Sequence, residues 1–312
     1  MVRASGGSRT DHRPRHRIAA GGGSLVRLCA RGRARGRRVK VNRRRLAALR
    51  RVRRARIGPI LERLEDRYGL PAWSGRRLDP VAELVLTVLA QNTADTNSHR
   101  AFVALQAAYP TWDAVLAAPT DELADVIRHG GLAPTKSRRI QQVLAEVHDS
   151  TDGTWDLAFL GQWPLEDALA WLVALPGIGR KTASIVLLFA FGRPALPVDT
   201  HVYRVAARLG LLPPKTNLTR AHDLLEEVVP PESMYGAHVL LIRHGREVCR
   251  APRPICGLCP LTDLCPYFAL VQKGKARMAP IPRSLERGPR YHDELLHGWA
   301  PPGTLESRAG PK

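Results

Sequence analysis

Residues 165–191 read LEDALAWLVALPGIGRKTASIVLLFAF, two apolar stretches joined by Pro176-Gly177-Ile178-Gly179. The first stretch predicts a helix ending at Leu175, and the second a helix starting near Arg180. Glycines at alternate positions let the backbone turn tightly and bring bare N–H groups close to a ligand. At the start of a helix those groups and the helix dipole favour an anion such as a phosphate. Gly177, Gly179 and Arg180 are therefore candidate phosphate contacts. Read locally, the same four residues also suit an ordinary turn between two helices.

Outward from this hairpin the pattern stays helical. Asp79-Pro80 sets an N-cap and a first-turn proline ahead of the apolar spacing of Val81–Leu89. Breaks follow at Tyr109-Pro110, Gly130-Gly131, Pro164, Gly192–Pro197 and Pro213-Pro214, and Thr135 and Asp199 are placed to cap the helices after them. No segment sustains strand alternation and no repeat period is present, so the expected fold class is all-α. The longest unbroken apolar runs, Ala168–Leu175 and Ile185–Phe191, fall far short of the roughly 20 residues of a membrane span, which excludes a transmembrane protein.

The chain has 312 residues, 48 Lys+Arg against 28 Asp+Glu, and a net charge of +20. Residues 1–60 hold 20 of those bases and a single acid, Asp11, while the remainder is nearly neutral. The first 38 or so residues, rich in Gly, Ser and Arg without apolar periodicity, are expected to be disordered. Arg43–Arg56 has enough Leu and Ala to become helical on an acidic surface. Residues 1–57 thus form a basic arm, read as a salt-sensitive phosphate binder, as a targeting segment or as the product of a mis-assigned start. At the other end, residues 269–312 are expected to be a loose tail.

Cys249, Cys256, Cys259 and Cys265 place four thiols within seventeen residues, spaced by six, two and five. Four soft ligands so close suit tetrahedral zinc or a [4Fe–4S] cluster equally well. Arg246, Arg250 and Arg253 lie in or beside this loop and are candidate phosphate contacts. The fifth cysteine, Cys29, lies in the arm and receives no role.

Lys181 follows the hairpin and Asp199 lies eighteen residues on, in Pro197-Val198-Asp199-Thr200-His201. As a cation, a lysine there pairs with phosphate. As a neutral amine, it attacks a sugar C1′ and forms a Schiff base. The chain uses 41 Arg and only seven Lys, so a lysine kept beside Arg180 leans toward chemistry that arginine cannot perform. A carboxylate near C1′ stabilises the positive charge that develops as an N-glycosidic bond breaks, and it can also exchange protons with the amine. Asp199 is equally suited to cap the helix after it, and the two roles are compatible.

The run LPGIGRKTASIVLLFAFGRPALPVDTHVYRVAARL, together with LIRHGREVC ahead of the cysteines, resembles the endonuclease III family of DNA glycosylases from about Ile60 to Tyr267. The resemblance implies a two-lobed helix–hairpin–helix fold. A six-helix lobe would span 79–193, and an iron–sulfur lobe would join 58–78 to 194–268. It implies that Lys181 is the nucleophile, that Asp199 is the essential acid and that the four cysteines hold a [4Fe–4S] cluster rather than zinc. Gln91, in LAQNTADTN, matches the family's glutamine that fills the vacated base stack, and Leu132, in GGLAPTKS, matches its opposite-strand wedge. His201 matches the motif VDTH and reads as structural. QNT stands where the family more often has QAT, and Ser184 where an Asn is expected; both bear on lesion choice.

The expected function is excision of oxidised pyrimidines from duplex DNA by a bifunctional glycosylase and abasic-site lyase. It would act as a monomer in a bacterial-type cytoplasm or nucleoid, with organellar targeting by the arm as the alternative. A monofunctional adenine or mismatch glycosylase and a non-catalytic cluster-bearing DNA-binding protein are the rival readings; Lys181 argues against the first, and Lys181 with Asp199 against the second.

Overall fold

A computed structural model describes residues 43–69 and 78–282. Cys29, the first 42 residues of the arm and residues 283–312 lie outside the described residues. Among the described residues the secondary structure is helical throughout, and no helix is long and apolar enough to cross a membrane.

Helix α1, Arg43–Tyr68, buries Ile57, Ile60, Leu64 and Tyr68 at three- and four-residue spacing. The expected border between arm and body at residue 57 therefore falls inside an element. Its basic first half needs no DNA to become helical. The core holds Ile57–Tyr68, extending a nucleated helix costs little, and Arg, Ala and Leu favour it. Arg56 also donates to the Leu264 carbonyl, and Arg50 pairs with Glu227 at 3.4 Å.

Helices α2 (Pro80–Leu89), α3 (Asp95–Ala108), α4 (Trp112–Ala117), α5 (Thr120–Val126), α6 (Ala133–Ser150), α7 (Phe159–Gln162), α8 (Leu165–Ala174) and α9 (Arg180–Phe191) follow. Asp79 caps α2 as expected, accepting from the Val81 and Ala82 amides at 3.0 and 3.1 Å. Thr135 does not cap α6. That helix begins two residues earlier, with Leu132 in the N-cap position, so Thr135 sits inside its first turn. The chain continues through α10 (Thr200–Arg208), α11 (Leu218–Glu226), α12 (Met234–Glu247) and α13 (Pro266–Gln272).

Two apolar cores organise these helices. One gathers buried residues from Leu78 to Ala195, and the other joins Ile57–Tyr68 of α1 to residues between Leu188 and Leu261. Helix α9 belongs to both, for Leu187 is in the first core and its neighbour Leu188 in the second. Whatever sits at the N-terminus of α9 is thus fixed by both halves of the molecule. The expected loose tail is not loose at its start. Residues 266–272 form α13, Tyr267 donates to the Arg277 carbonyl at 2.8 Å, and the Ala279 amide donates to the Pro254 carbonyl at 2.8 Å.

Candidate active site and cysteine centre

The hairpin between α8 and α9 comprises Leu175–Gly179. Gly177 has φ +70°, so its backbone favours glycine, and a Cβ there would come within 2.2 Å of Arg139 Nε and oblige that side chain to move. At Gly179, the N-cap of α9, a Cβ would meet nothing within 4 Å. Nothing inside the protein demands glycine at that second position, whereas a phosphate approaching the helix N-terminus would.

Lys181, exposed, stands on the first turn of α9. Arg180 beside it turns away to carboxylates: its guanidinium meets Glu226 at 2.7 Å and Glu166 at 3.9 Å. The pair with Glu226 anchors α9 to α11. Glu226 also accepts from the Leu196 amide at 3.1 Å, while His222 Nδ1 donates to the Leu196 carbonyl at 3.1 Å. The segment leading into Asp199 is therefore clamped from α11 at both backbone groups of one residue, Leu196.

Asp199 caps α10, accepting from the Val202 amide at 2.7 Å. Sequence reasoning missed His238 of α12, which is buried and donates from Nδ1 to the Pro197 carbonyl at 3.0 Å. Burial pushes its pKa down to about 4 against the pull of Asp199, with Lys181 and Arg246 lowering it further. Lysine, aspartate and histidine thus share one electrostatic neighbourhood. With its pKa so lowered, the ring is kept neutral at ordinary pH. His201 accepts from Arg204 at 3.1 Å and packs against Gly245, a structural placement.

Gln91 lies in the turn after α2, donating to the Gly177 carbonyl at 3.2 Å and accepting from Arg139 at 2.8 Å. It is thereby held against the hairpin. Leu132 is 60% exposed with φ +51°, and Asn92, next to Gln91, has φ +53°. Left-handed backbone at a non-glycine residue costs about 1 kcal/mol or more and clusters where geometry is functional.

The four cysteines line one cavity beneath α10 and α12, together with Arg208 and His244. Among the described residues no three His, Cys, Asp or Glu side chains converge closely enough to grip a single ion. Four thiols lining one cavity are a soft donor set of the kind that holds an iron–sulfur cluster or zinc. Burial raises the Cys256 thiol to about 11 and the Cys259 thiol to about 12, and raises Cys265 as well. Such thiols become thiolates only when a compensating positive charge enters, as iron would supply. Arg208 supports the loop, donating to the carbonyls of Cys249, Arg250 and Pro252 at 3.1, 2.8 and 3.0 Å and to Cys249 Sγ at 3.4 Å. His244 Nε2 lies 3.6 Å from Cys259 Sγ, and its Nδ1 lies 3.0 Å from the Tyr68 hydroxyl.

The three arginines Arg246, Arg250 and Arg253 are all exposed, and Arg246 also reaches from α12 to Asp95 of α3 at 2.6 Å. That pair bridges the two cores.

Comparison with known proteins agrees with this geometry. Residues 85–231 match the profile described as HhH-GPD superfamily base excision DNA repair protein. Endonuclease III of Thermotoga maritima is 32% identical over 202 residues, covering 65% of this chain and 90% of that protein. The Escherichia coli K12 enzyme is 35% identical over 211 residues, covering 67% and 93%. Among solved structures, a trapped endonuclease III–DNA covalent intermediate superposes with a TM-score of 0.61 at 30% identity, over 70% of this chain and 98% of that one. With both lobes, the glycine hairpin and the cysteine loop in place, the chain belongs to the endonuclease III family.

Proposed function

We propose that Lys181 and Asp199 carry out base excision and strand cleavage in a DNA glycosylase and abasic-site lyase whose substrates are oxidised pyrimidines in duplex DNA. The observation that carries this reading is the placement of both residues at helix N-termini around one buried, neutral histidine. The family's activity and the trapped covalent complex of a relative support it.

The damaged nucleotide must leave the stack before its C1′ can be reached. Gln91 would fill the vacated position and Leu132 would part the opposite strand. Gly177 and Gly179 would receive a phosphate at the N-terminus of α9. Lys181 Nζ, having given up a proton, attacks C1′, and the base departs with the electrons of the glycosidic bond. Asp199 opposes the positive charge at the sugar and takes and returns protons. Transfer of a proton from the nitrogen to the ring oxygen opens the C1′–O4′ bond and leaves an iminium, which acidifies C2′–H. Loss of that proton expels the 3′ phosphate, and water then releases Lys181.

Cys249, Cys256, Cys259 and Cys265 would hold a [4Fe–4S] cluster. When bound, it supplies four iron–thiolate bonds that close the loop carrying Arg250 and Arg253, two candidate phosphate contacts. DNA would lie between the six-helix lobe and the cluster lobe.

The test is a single-turnover assay on duplexes containing one thymine glycol, one adenine mispair or one thymine mispair. The proposal expects base release and strand cleavage together on the oxidised pyrimidine. Base release without cleavage, or activity confined to the mispairs, would overturn it.

A further inference from the structure

A second lysine, Lys136, is buried where two turns meet. Lys136 is on α6, 3% exposed, with all three ammonium protons donated inside the protein. Its Nζ reaches the Leu89 carbonyl at 2.5 Å, Thr93 Oγ1 at 2.6 Å and the Gly130 carbonyl at 2.7 Å. Thr93 Oγ1 also lies 2.6 Å from the Gly130 carbonyl and 3.2 Å from that of Gln91. The end of α2, the Gln91 turn and the turn leading to Leu132 thus meet at one buried cation.

No carboxylate stands among these partners. Carbonyl and hydroxyl dipoles alone hold the charge, and burial lowers the pKa to about 8. A compact ammonium with rotatable donors suits three converging acceptors, whereas a planar guanidinium does not. The two turns so joined contain Asn92 and Leu132, both in left-handed backbone. Such conformations persist only where their surroundings over-determine them.

We propose that Lys136 is a positioning residue that holds the Gln91 and Leu132 turns in one fixed register, so that both wedges enter the two DNA strands as a unit. This rests on the insertion reading of Gln91 and Leu132 given above. Lys136 touches neither DNA nor the reacting atoms; it acts through the turns.

Single-turnover excision by the full holoenzyme tests this on two duplexes, one with the lesion fully paired and one with it opposite an abasic site, where no pairing resists extrusion. Lys136→Met and the milder Thr93→Val are each expected to slow excision tenfold or more on the paired duplex and less than threefold on the unpaired one. Adding Lys136→Met to Gln91→Ala should slow the enzyme less than twofold further, because the two changes disable one device. Equal losses on both duplexes by a folded Thr93→Val protein would reduce the cluster to general scaffolding and overturn the proposal. Wild-type rates in Lys136→Met and Thr93→Val beside a slow Gln91→Ala would also overturn it. Wild-type rates in Gln91→Ala and Leu132→Ala would instead remove the insertion reading beneath it.

Discussion

Asp199 carries two duties that a single atom separates. Its carboxylate caps α10 through the Val202 amide, and it is the negative charge proposed beside C1′. Asp199→Asn keeps an oxygen for the cap and loses the charge. Base excision should fall at least about a hundredfold, within the usual range for losing an acid–base group, while the melting temperature stays nearly unchanged. Asp199→Ala should lose activity and also about 1 kcal/mol of stability with the cap. Equal melting losses in both variants, measured by calorimetry, would contradict the cap assignment. Lys181, Asp199 and the cysteines were legible as candidates because each sits in a local motif. His238 and Arg139 were not, because their importance comes from a Pro197 carbonyl and a Gly177 backbone met only in the folded chain. Lys136 could have been suspected: in a chain with 41 Arg and seven Lys, a lysine marks a place where arginine's shape fails. The pairing of Arg180 with Glu226 was not legible either, since a partner 46 residues away leaves no trace in a local reading.

At the scale of elements, the two hairpin glycines should respond differently. Gly177→Ala places a side chain in left-handed backbone against Arg139 and should destabilise the protein by about 1–3 kcal/mol. Gly179→Ala meets open space inside the protein, so its melting temperature should hold while DNA affinity drops tenfold or more. Unimpaired binding by Gly179→Ala would mean that no phosphate comes close there. The hairpin was readable because its glycines and flanking apolar runs are contiguous. The boundaries of α1 and α13 were not. The core's hold on Ile57–Tyr68 propagates outward into Arg43–Arg56, and contacts with Pro254 and Gly257 order residues that composition alone marks as tail. Thr135 failed as a cap because Leu132, in a backbone state that sequence disfavours, starts the helix first.

Across the whole molecule, charge and burial set how the protein answers to salt and acid. The arm holds most of the excess positive charge, and α1 is needed for the second core, so a truncation should stop at residue 42. Removing residues 1–42 should flatten the dependence of DNA affinity on salt and weaken binding at low salt, as read by fluorescence anisotropy. An unchanged slope would show that the arm does not meet DNA. In acid, buried His238 stays neutral down to about pH 4 while the unfolded chain takes up its proton near 6.5. The unfolded state then binds more protons across that window, so stability should fall as pH drops from about 6.5 to 4. His238→Asn, which keeps a donor for the Pro197 carbonyl, should show a shallower fall in denaturant titrations. The central claim is a covalent bond between Lys181 and the sugar. Incubating the holoenzyme with a duplex containing one abasic site, adding borohydride and mapping the adduct by mass spectrometry tests it most directly. The account predicts a trapped complex at Lys181 for the wild type, and none for a Lys181→Ala variant that still binds the duplex. A trapped complex in that variant at the wild-type level, or none in either protein while both bind DNA, would contradict it.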